Sequence, residues 1–304
     1  MTPFKVHILG CGSALPTMRH NPSSQIVELR DKQFMVDCGE GTQLQLRRSK
    51  ISFTRISHVF ISHLHGDHCF GLIGMISSFG MLGRTAPLHI YAHGDLQPIL
   101  QQQLDFFCQG LEFEVKMHAI DPTLNEVIYE DRSLTVTTIP LSHRMPCCGF
   151  LFKEKETLPH IRREMIDMYG IPLSQINNIK NGIDWTSPDG EVIPASRLTT
   201  PADKPRSYAY CSDTIYKPDI VPMIEGVHTV YHECTYADED KQRARKHFHS
   251  TASEAAQIAL GAKAKKLVLG HFSARYNNEN EMLKQARAIF PETTLAFEGC
   301  TIEL

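Results

Sequence analysis

The chain has 304 residues, of which 42% are hydrophobic and 21% charged, and its formal net charge is −3. These values are typical of a globular protein with one large or two small domains and exclude a disordered chain. No segment has the roughly 18 consecutive apolar residues of a membrane span, and we expect no secretory signal. The nine cysteines form no Cys-x-x-Cys pair, which favours a reducing cytoplasm over a disulfide framework. We interpret the basic runs 47–50, 241–246 and 263–266 as solvated helix faces.

Short apolar, β-branched runs alternate with amphipathic runs along most of the chain. The predicted strands are 5–8, 24–28, 33–36, 58–62, 88–91, 134–140, 208–211, 229–232 and 266–270. The predicted helices are 72–82, 96–107 and 253–264. The last helix begins well, because Thr251 and Glu254 form a Thr-x-x-Glu capping box. This order of elements predicts a mixed α/β layered domain.

A polar stretch rich in proline, glycine and asparagine, residues 153–206, interrupts this pattern, with a short helical segment at 159–169. Loops of this length inside a compact domain are usually functional or protruding. We therefore predict a single domain spanning 1–304 with a flexible inserted arm at 153–206. The alternative is a surface loop without a function of its own.

Three histidines and an aspartate fall within six residues, directly after the fourth predicted strand. His63 and His65 are two residues apart, so an extended backbone directs both side chains the same way. Gly66 allows a sharp turn, after which Asp67 and His68 face another direction. Imidazole nitrogen and carboxylate oxygen are the ligands of catalytic zinc sites. The loop therefore predicts a metal site, with two metals rather than one.

Three further polar residues each follow a predicted strand. They are His143, Asp213 and His271. Because strand-end loops cluster at one edge of a sheet, we expect these residues to complete a dinuclear site. Any one of them alone would be a weak signal, since aspartate and histidine are common after strands.

Together these residues resemble the metallo-β-lactamase superfamily, which has His-x-His-x-Asp-His followed by a later His, Asp and His. Further motifs resemble the ribonuclease Z family in particular, and the similarity to its short form extends nearly from end to end. These motifs are GCGSALP at 10–16, NPSS at 21–24, DCGEGTQ at 37–43, SDT at 212–214, HECT at 232–235, HST at 249–251 and HFSARY at 271–276.

The resemblance implies a four-layer αββα sandwich with two Zn²⁺ ions per chain. It assigns one zinc to His63, His65 and His143, and the other to Asp67, His68 and His271, with Asp213 bridging them. The implied activity is a cytoplasmic, homodimeric endoribonuclease that removes the 3′ trailer of precursor tRNA. A metal-activated water would attack the phosphodiester, leaving a tRNA 3′-hydroxyl and a 5′-phosphate on the trailer.

The resemblance also implies the catalytic roles. Asp67 would orient or deprotonate the attacking water, and Glu233 and His249 would act together near the leaving group. Histidine suits proton donation to the leaving 3′ oxygen because its pKa lies near neutral pH. The alternative for His249 is a structural residue that only precedes the helix cap. In the HECT motif Cys234 replaces the family's alanine, a small-for-small change.

Other residues are expected to bind substrate or support the site. Asp37 would hold a metal ligand or loop, because metal-binding histidines usually donate their second N–H. Arg275 would contact a phosphate, with a plain surface arginine as the alternative. In the family the inserted arm is an exosite that grips the tRNA held by the other subunit. Here its phosphate contacts would come from Lys153, Lys155, Arg162, Arg163 and Lys180.

Two departures from the family pattern concern substrate contacts. The arm lacks its usual Gly-Pro pair at 171–174. In the family's Pro-x-Lys-x-Arg-Asn loop, Pro16 and Asn21 match, whereas Met18 and His20 occupy the two basic positions. This difference affects the expected discrimination against mature CCA-ended tRNA.

Two other functions remain compatible with these motifs. One is a different hydrolase of the fold, such as a small-molecule phosphodiesterase, an arylsulfatase-like enzyme or a lactonase, which would not need the arm. The other is an inactive member that binds RNA or an assembly. The complete ligand set argues against the second.

Overall fold

A computed structural model describes residues 3–304. Its strands, labelled β1–β18 in chain order, are Phe4–Gly10, Ser24–Leu29, Lys32–Cys38, Ile56–Phe60, Leu88–His93, Val115–Ile120, Val127–Glu130, Leu134–Pro140, Cys148–Glu154, His160–Ile161, Trp185–Thr186, Val192–Ile193, Thr199–Thr200, Ser207–Cys211, Thr229–Glu233, Lys266–Gly270, Thr293–Leu295 and Thr301–Glu303. Its helices, labelled α1–α10, are Thr42–Arg48, Gly66–Cys69, Leu72–Met81, Leu96–Phe107, Arg163–Tyr169, Leu173–Lys180, Ala195–Leu198, Lys241–His247, Ala252–Gly261 and Asn280–Arg287. Short 3-10 turns lie at Phe53–Arg55, Pro218–Ile224 and Asp238–Asp240.

Two seven-stranded mixed sheets form the body of the protein. The first has the strand order β18-β1-β2-β3-β4-β5-β6, and the second has the order β17-β16-β15-β14-β9-β8-β7. Strands β3–β6 run parallel to one another, as do β14–β17. The carboxyl ends of neighbouring parallel strands therefore meet at one edge of each sheet, where strand-end loops bring polar residues together.

Alternating side chains on the strands produce two apolar layers. In β4, Val59 belongs to the core shared with Leu72 and Phe79 of α3, whereas Phe60 belongs to the core shared with Phe150 and other residues of the second sheet. Helix α9 packs on the second sheet through buried alanines and Ile258. The layers therefore run helix, sheet, sheet, helix, and the predicted α/β four-layer sandwich is confirmed.

The predicted elements agree with the structure where their apolar pattern is strong. Every predicted strand overlaps an observed one, and the capping box of Thr251 and Glu254 at the start of α9 is present. Among the elements not predicted from the sequence are β6 and β7, which are outer strands with partly exposed residues, and α8, whose sequence KQRARKH has little apolar periodicity. Among the described helices, none is both long enough and apolar enough to cross a membrane.

Residues Glu154–Pro205 form a compact unit of their own. The unit contains α5–α7 and two short strand pairs, β10 with β13 and β11 with β12. Its small core includes Ile179, Trp185 and Leu198, all buried. The remaining residues, up to Lys153 and from Arg206 onward, form a second unit that holds both large sheets. That the smaller unit serves as a flexible arm stays a prediction.

Candidate metal centre and catalytic pair

The chemistry-bearing side chains meet at the carboxyl ends of the strands. His63 and His65 follow β4, His143 follows β8, Asp213 follows β14, and His271 follows β16. Asp213 and His271 have positive φ angles of 61° and 58°, in the left-handed region that costs most non-glycine residues about 1–3 kcal/mol. The surrounding contacts must hold this backbone in place, and it directs both side chains into the site.

Three histidine nitrogens converge on one point. His63 Nε2 lies 3.0 Å from His65 Nδ1, and His143 Nε2 lies 3.2 Å from the same atom. These separations are close to the roughly 3.3 Å between nitrogens that each lie about 2.05 Å from a tetrahedral zinc ion. His63, His65 and His143 are thus placed to hold one metal ion.

In two of these rings, Nδ1 faces away from the point of convergence and donates a hydrogen bond. The lone pair of Nε2 therefore faces inward. His143 Nδ1 donates to the Phe248 carbonyl at 3.0 Å. Ser62 donates its hydroxyl to Asp37 and therefore accepts from His63 Nδ1 at 3.1 Å. In a neutral imidazole the second nitrogen is then the unprotonated one. Burial lowers the pKa of His63, His65 and His143, so all three are neutral at pH 7, as metal ligands must be.

A second group lies beside the first and shares Asp213. Asp213 Oδ2 is 3.0 Å from His68 Nε2 and 3.1 Å from His271 Nε2, while Oδ1 faces His143 Nε2 at 3.7 Å. Asp67 Oδ2 lies 3.3 Å from His68 Nε2. The Nε2 atoms of His68 and His271 are buried and without a hydrogen-bond partner among residues 3–304. Buried polar atoms without a partner are rare, and a cation between these groups would satisfy both nitrogens.

The two aspartates of this group are ionised. Burial raises the pKa of Asp67, but electrostatic attraction to the nearby His271 and His68 rings outweighs it and lowers the pKa well below its ordinary value. Burial likewise opposes ionisation of Asp213, and electrostatic attraction to His271 and His68 holds its pKa well below the usual range. Two carboxylates beside several imidazole nitrogens form the donor set that a divalent cation requires.

Asp37 fixes the orientation of His68. This fully buried carboxylate accepts from His68 Nδ1 at 2.7 Å, from Tyr210 Oη at 2.7 Å, and from the Ser62 backbone N–H at 2.8 Å. Because Nδ1 is bound to Asp37, Nε2 of His68 points towards Asp213. This contact is the kind expected of Asp37 from the sequence, whereas the supporting roles of Ser62 and Tyr210 were missed.

Glu233 and His249 form a charged pair next to the histidine and aspartate groups. His249 Nδ1 lies 2.9 Å from Oε1 of the fully buried Glu233. Burial alone would lower the pKa of His249, but the charge and hydrogen bond of Glu233 outweigh it and raise the pKa to about 9. Burial raises the pKa of Glu233, but the charge of His249 outweighs it and lowers the pKa below its ordinary value. At neutral pH the pair is therefore an imidazolium held by a carboxylate.

Thr235, which was not assigned from the sequence, links this pair to His271. Its hydroxyl donates to Glu233 Oε2 at 2.5 Å and accepts from His271 Nδ1 at 2.9 Å. The Thr214 backbone N–H donates to Glu233 Oε1 at 2.7 Å. Glu233 is thus held by Thr214, Thr235 and His249, and Thr235 connects it to His271.

Many of these side chains line one cavity of about 420 Å³. The predicted site residues that line it are His65, Asp67, His143, Asp213, His249 and His271. The remaining lining residues are Ser13, Ala14, Gly66, Arg144, Thr235, Tyr236, His247 and Ser273. A cleft of this size with convergent ionised groups is a typical enzyme active site.

Several predicted substrate contacts lie outside this cavity. Arg275 Nη1 is 3.3 Å from both carboxylate oxygens of Asp240, so its guanidinium is engaged within the chain. Arg162 donates to the Thr199 carbonyl at 3.3 Å, and the side chains of Lys153 and Arg163 are exposed. The phosphate contacts predicted for these residues, and for Lys155 and Lys180, stay predictions.

His20, at a basic position of the family's loop motif, is buried between two carboxylates. Its Nδ1 is 3.0 Å from Glu298 and its Nε2 is 3.4 Å from Glu279. Burial lowers the pKa of His20, but its hydrogen bonds to Glu279 and Glu298 outweigh it and raise the pKa to about 9. His20 therefore connects its loop to the carboxyl-terminal part of the chain. Met18, in contrast, is fully exposed.

The ion pairs of His20 predict a free energy of unfolding that depends on pH. A pKa raised from 6.5 to about 9 stabilises the fold fully below pH 6.5, by on the order of 3 kcal/mol, and this contribution is lost as the pH rises through about 9. We expect the difference in unfolding free energy between wild type and His20→Gln to be largest at pH 6 and to shrink by pH 9.5. Urea unfolding followed by circular dichroism measures it, and a difference independent of pH would contradict the assignment.

Comparison with known proteins identifies the family. Residues 4–159 match a family model described as "Anti-Pycsar protein Apyc1". Ribonuclease Z from Phocaeicola vulgatus is 58% identical over 304 residues, covering 100% of this chain and 98% of the relative. Ribonuclease Z from Bacteroides fragilis is 57% identical and covers 100% of both chains. The chain belongs to the ribonuclease Z family.

The ribonuclease Z relatives align with the whole chain, and so with every proposed site residue, whereas the half-length model covers only some of these positions. Residues 4–159 contain the His63–His68 loop and His143 but none of Asp213, Glu233, His249 and His271. The full-length match therefore decides the family, and the resemblance found in the sequence is confirmed.

Solved structures show the same fold as this ribonuclease Z family member. Human tRNase Z, short form, superposes with a TM-score of 0.70 at 24% identity, covering 98% of each chain. The metallo-beta-lactamase fold protein YhfI from Bacillus subtilis also has a TM-score of 0.70, at 19% identity, covering 99% of this chain and 100% of that one. At these identities the likeness concerns the fold.

Proposed function

We propose that the protein is a zinc-dependent endoribonuclease that removes the 3′ trailer of precursor tRNA, leaving a tRNA 3′-hydroxyl and a 5′-phosphate on the trailer. One observation carries the proposal. A set of seven histidine and aspartate ligands, five of which line one cavity with His249, lies beside the Glu233–His249 pair, in a chain 58% identical to a ribonuclease Z over its full length.

Two zinc ions per chain fit the residues present. The first would be held by His63, His65 and His143 and the second by Asp67, His68 and His271, with Asp213 offering one oxygen to each. When bound, the two ions would lower the pKa of a bound water and neutralise charge on the phosphoryl oxygens. This division of the ligands agrees with the contacts of Asp213. The Nε2 atoms of His68 and His271, which have no hydrogen-bond partner among residues 3–304, face this carboxylate.

Asp67 acts on the water in this scheme. The carboxylate is ionised and lies in the cavity, and its Oδ2 already faces His68 and His271. It therefore can orient a water for in-line attack by accepting a hydrogen bond from it. A carboxylate held ionised by its neighbours accepts this hydrogen bond at neutral pH.

His249 supplies the proton that the leaving 3′ oxygen needs. Its Nδ1–H is held by Glu233 at 2.9 Å, which leaves Nε2–H as the proton available to the cavity. Glu233 keeps the ring charged and fixes its orientation, so that the donor does not depend on bulk water. Without this proton the tRNA would have to leave as an alkoxide.

The compact unit Glu154–Pro205 serves tRNA binding in this proposal. Its basic residues Lys155, Arg162, Arg163 and Lys180, with the preceding Lys153, offer phosphate contacts that make binding salt-dependent. We place the enzyme in the cytoplasm as a homodimer, in which the unit of one subunit holds the tRNA cleaved by the other. Exposed lysines and arginines suit the regular backbone of a folded RNA.

Cleavage assays with two substrates test the proposed function. The zinc-loaded enzyme should cleave a precursor tRNA at nanomolar enzyme concentration and a small chromogenic phosphodiester far more slowly. Turnover of the small phosphodiester with no cleavage of precursor tRNA would instead favour a small-molecule phosphodiesterase.

Loss of one ligand predicts loss of metal. In His65→Ala one of three nitrogens that surround the first site is removed, so the zinc content should fall from two per chain to one or fewer after dialysis. Inductively coupled plasma mass spectrometry measures it. His93→Ala, a histidine outside the cavity, is the matched control and should keep both ions. Two ions retained in His65→Ala would contradict the ligand assignment.

A further inference from the structure

Arg144 and His247 form a pair in the active-site cavity that the mechanism above does not use. Arg144 Nη2 lies 2.6 Å from His247 Nδ1, although the residues are 103 positions apart in the chain. Both line the cavity that holds Asp67, Asp213 and His249. Arg144 directly follows the proposed ligand His143, and His247 lies two residues before His249.

The fold builds this pair together with the catalytic groups. Helix α8 ends at His247, and Phe248 follows in a left-handed conformation with φ 61°. The Phe248 carbonyl accepts from His143 Nδ1 at 3.0 Å. This turn therefore ties residues 247–249 to residues 143–144, and it places both His247 and His249 in the cavity wall.

The hydrogen-bond roles of the pair can be assigned. An arginine guanidinium only donates, so His247 Nδ1 accepts and the neutral ring carries its proton on Nε2. Arg144 is exposed and has no carboxylate partner among the residues that the structure describes, in contrast to Arg275, which pairs with Asp240. The remaining guanidinium N–H groups and His247 Nε2–H together offer several donors and a positive charge at the cavity mouth. An anionic oxygen group such as a phosphate matches this set.

The position of His249 indicates which phosphate of the RNA would contact Arg144 and His247. If His249 protonates the leaving 3′ oxygen, the tRNA side of the cut lies at His249. His247 and Arg144 flank that residue, on the chain and through the His143 ring, which is 5.1 Å from the His249 ring. A second phosphate on the tRNA side would therefore come next to the pair.

We propose that Arg144 and His247 bind the phosphate one nucleotide 5′ of the scissile phosphate. The proposal rests on the proposed function and adds a specificity device to it. Small phosphodiesters lack this second phosphate and receive no such contact, whereas a polynucleotide receives it. The pair would thus help the enzyme to prefer an RNA chain over a small diester.

A neutral linkage tests this contact directly. We would ligate a precursor tRNA in which a methylphosphonate replaces the phosphodiester one nucleotide 5′ of the cut, and measure kcat/KM for each isomer. With the wild type, the neutral linkage should lower kcat/KM by about 10- to 100-fold, as expected for lost hydrogen bonds to a charged group. Arg144→Gln should lower kcat/KM for the native precursor by a similar factor. Replacing the phosphate with the neutral linkage should then lower kcat/KM of this variant only slightly further.

A matched control separates this contact from general charge. Arg243 lies exposed on α8, outside the cavity, near Asp240 at 3.8 Å. Arg243→Gln should behave as the wild type on both substrates. Zinc content should stay at two per chain in both variants, which shows that Arg144→Gln has not disturbed His143.

The outcomes are distinguishable. In one outcome, the wild type cleaves the native precursor, but the fold-decreases in kcat/KM from Arg144→Gln and from the neutral linkage multiply when the two are combined. The pair then does not contact this phosphate, and the proposal is overturned. Equal rates of the wild type on both substrates would overturn it as well. If the wild type fails to cleave the native precursor, the proposed function itself is wrong, and this phosphate contact falls with it.

Discussion

Replacing His249 with alanine is expected to lower kcat for precursor tRNA by about 10²- to 10⁴-fold while the protein keeps two zinc ions. The reason is that His249 is held as an imidazolium by Glu233 at 2.9 Å and offers its Nε2 proton to the cavity. Single-turnover cleavage of a 3′-labelled precursor measures the chemical step, and mass spectrometry measures the metal.

The metal measurement decides between two roles for His249. His143, Asp213 and His249 are also close enough to hold a cation together. A loss of zinc in His249→Ala would therefore identify His249 as a ligand and contradict the proton-donor role. Glu233→Gln, which keeps a side chain of the same shape but removes its charge, should cause a comparable loss of kcat with the zinc retained. His93→Ala is the control for both variants and should cleave like the wild type.

Removing the compact unit Glu154–Pro205 should abolish cleavage of precursor tRNA and preserve cleavage of a small phosphodiester. The structure shows where to cut, because Lys153 of β9 pairs with Ser207 of β14 in antiparallel register. An Asn-Gly turn in place of residues 155–205 can therefore join the two strands as a hairpin. The deleted unit has its own core, and none of its residues belongs to the cores of the two large sheets.

Steady-state kinetics on both substrates check this deletion. The small phosphodiester needs only the cavity, so its kcat/KM should stay within a few-fold of the wild-type value. Circular dichroism and zinc content serve as controls for folding. An equal loss of both activities would show that the unit supports the active site rather than the tRNA, and would contradict the binding role.

The meeting of the proposed ligands at one site could be predicted from the sequence because each of them follows a predicted strand. His63, His65, Asp67 and His68 follow one strand, and His143, Asp213 and His271 each follow another. Parallel strands bring such positions to one edge whatever the length of chain between them. The left-handed backbone at Asp213 and His271 was not predictable, because contacts from distant segments stabilise it.

The supporting residues were missed for the same physical reason. Thr235 bonds both Glu233 and His271, and Tyr210 reaches Asp37 across 173 positions, so these roles exist only in the folded chain. The basic run 241–246 in α8 is largely exposed, in agreement with the predicted solvated helix face. The last residue of α8, His247, lines the cavity because the turn at Phe248 redirects the chain.

Mapping the ends of the products tests the central proposal most directly. Paired precursors of one tRNA, with and without an encoded CCA, would be incubated with the zinc-loaded enzyme, and both products sequenced to the nucleotide. We expect a single endonucleolytic cut at the base of the trailer, with a 3′-hydroxyl on the tRNA and a 5′-phosphate on the intact trailer, abolished by chelation and restored by zinc. A ladder of shortened trailers, a 3′-phosphate on the tRNA, or no cleavage of either precursor would contradict it.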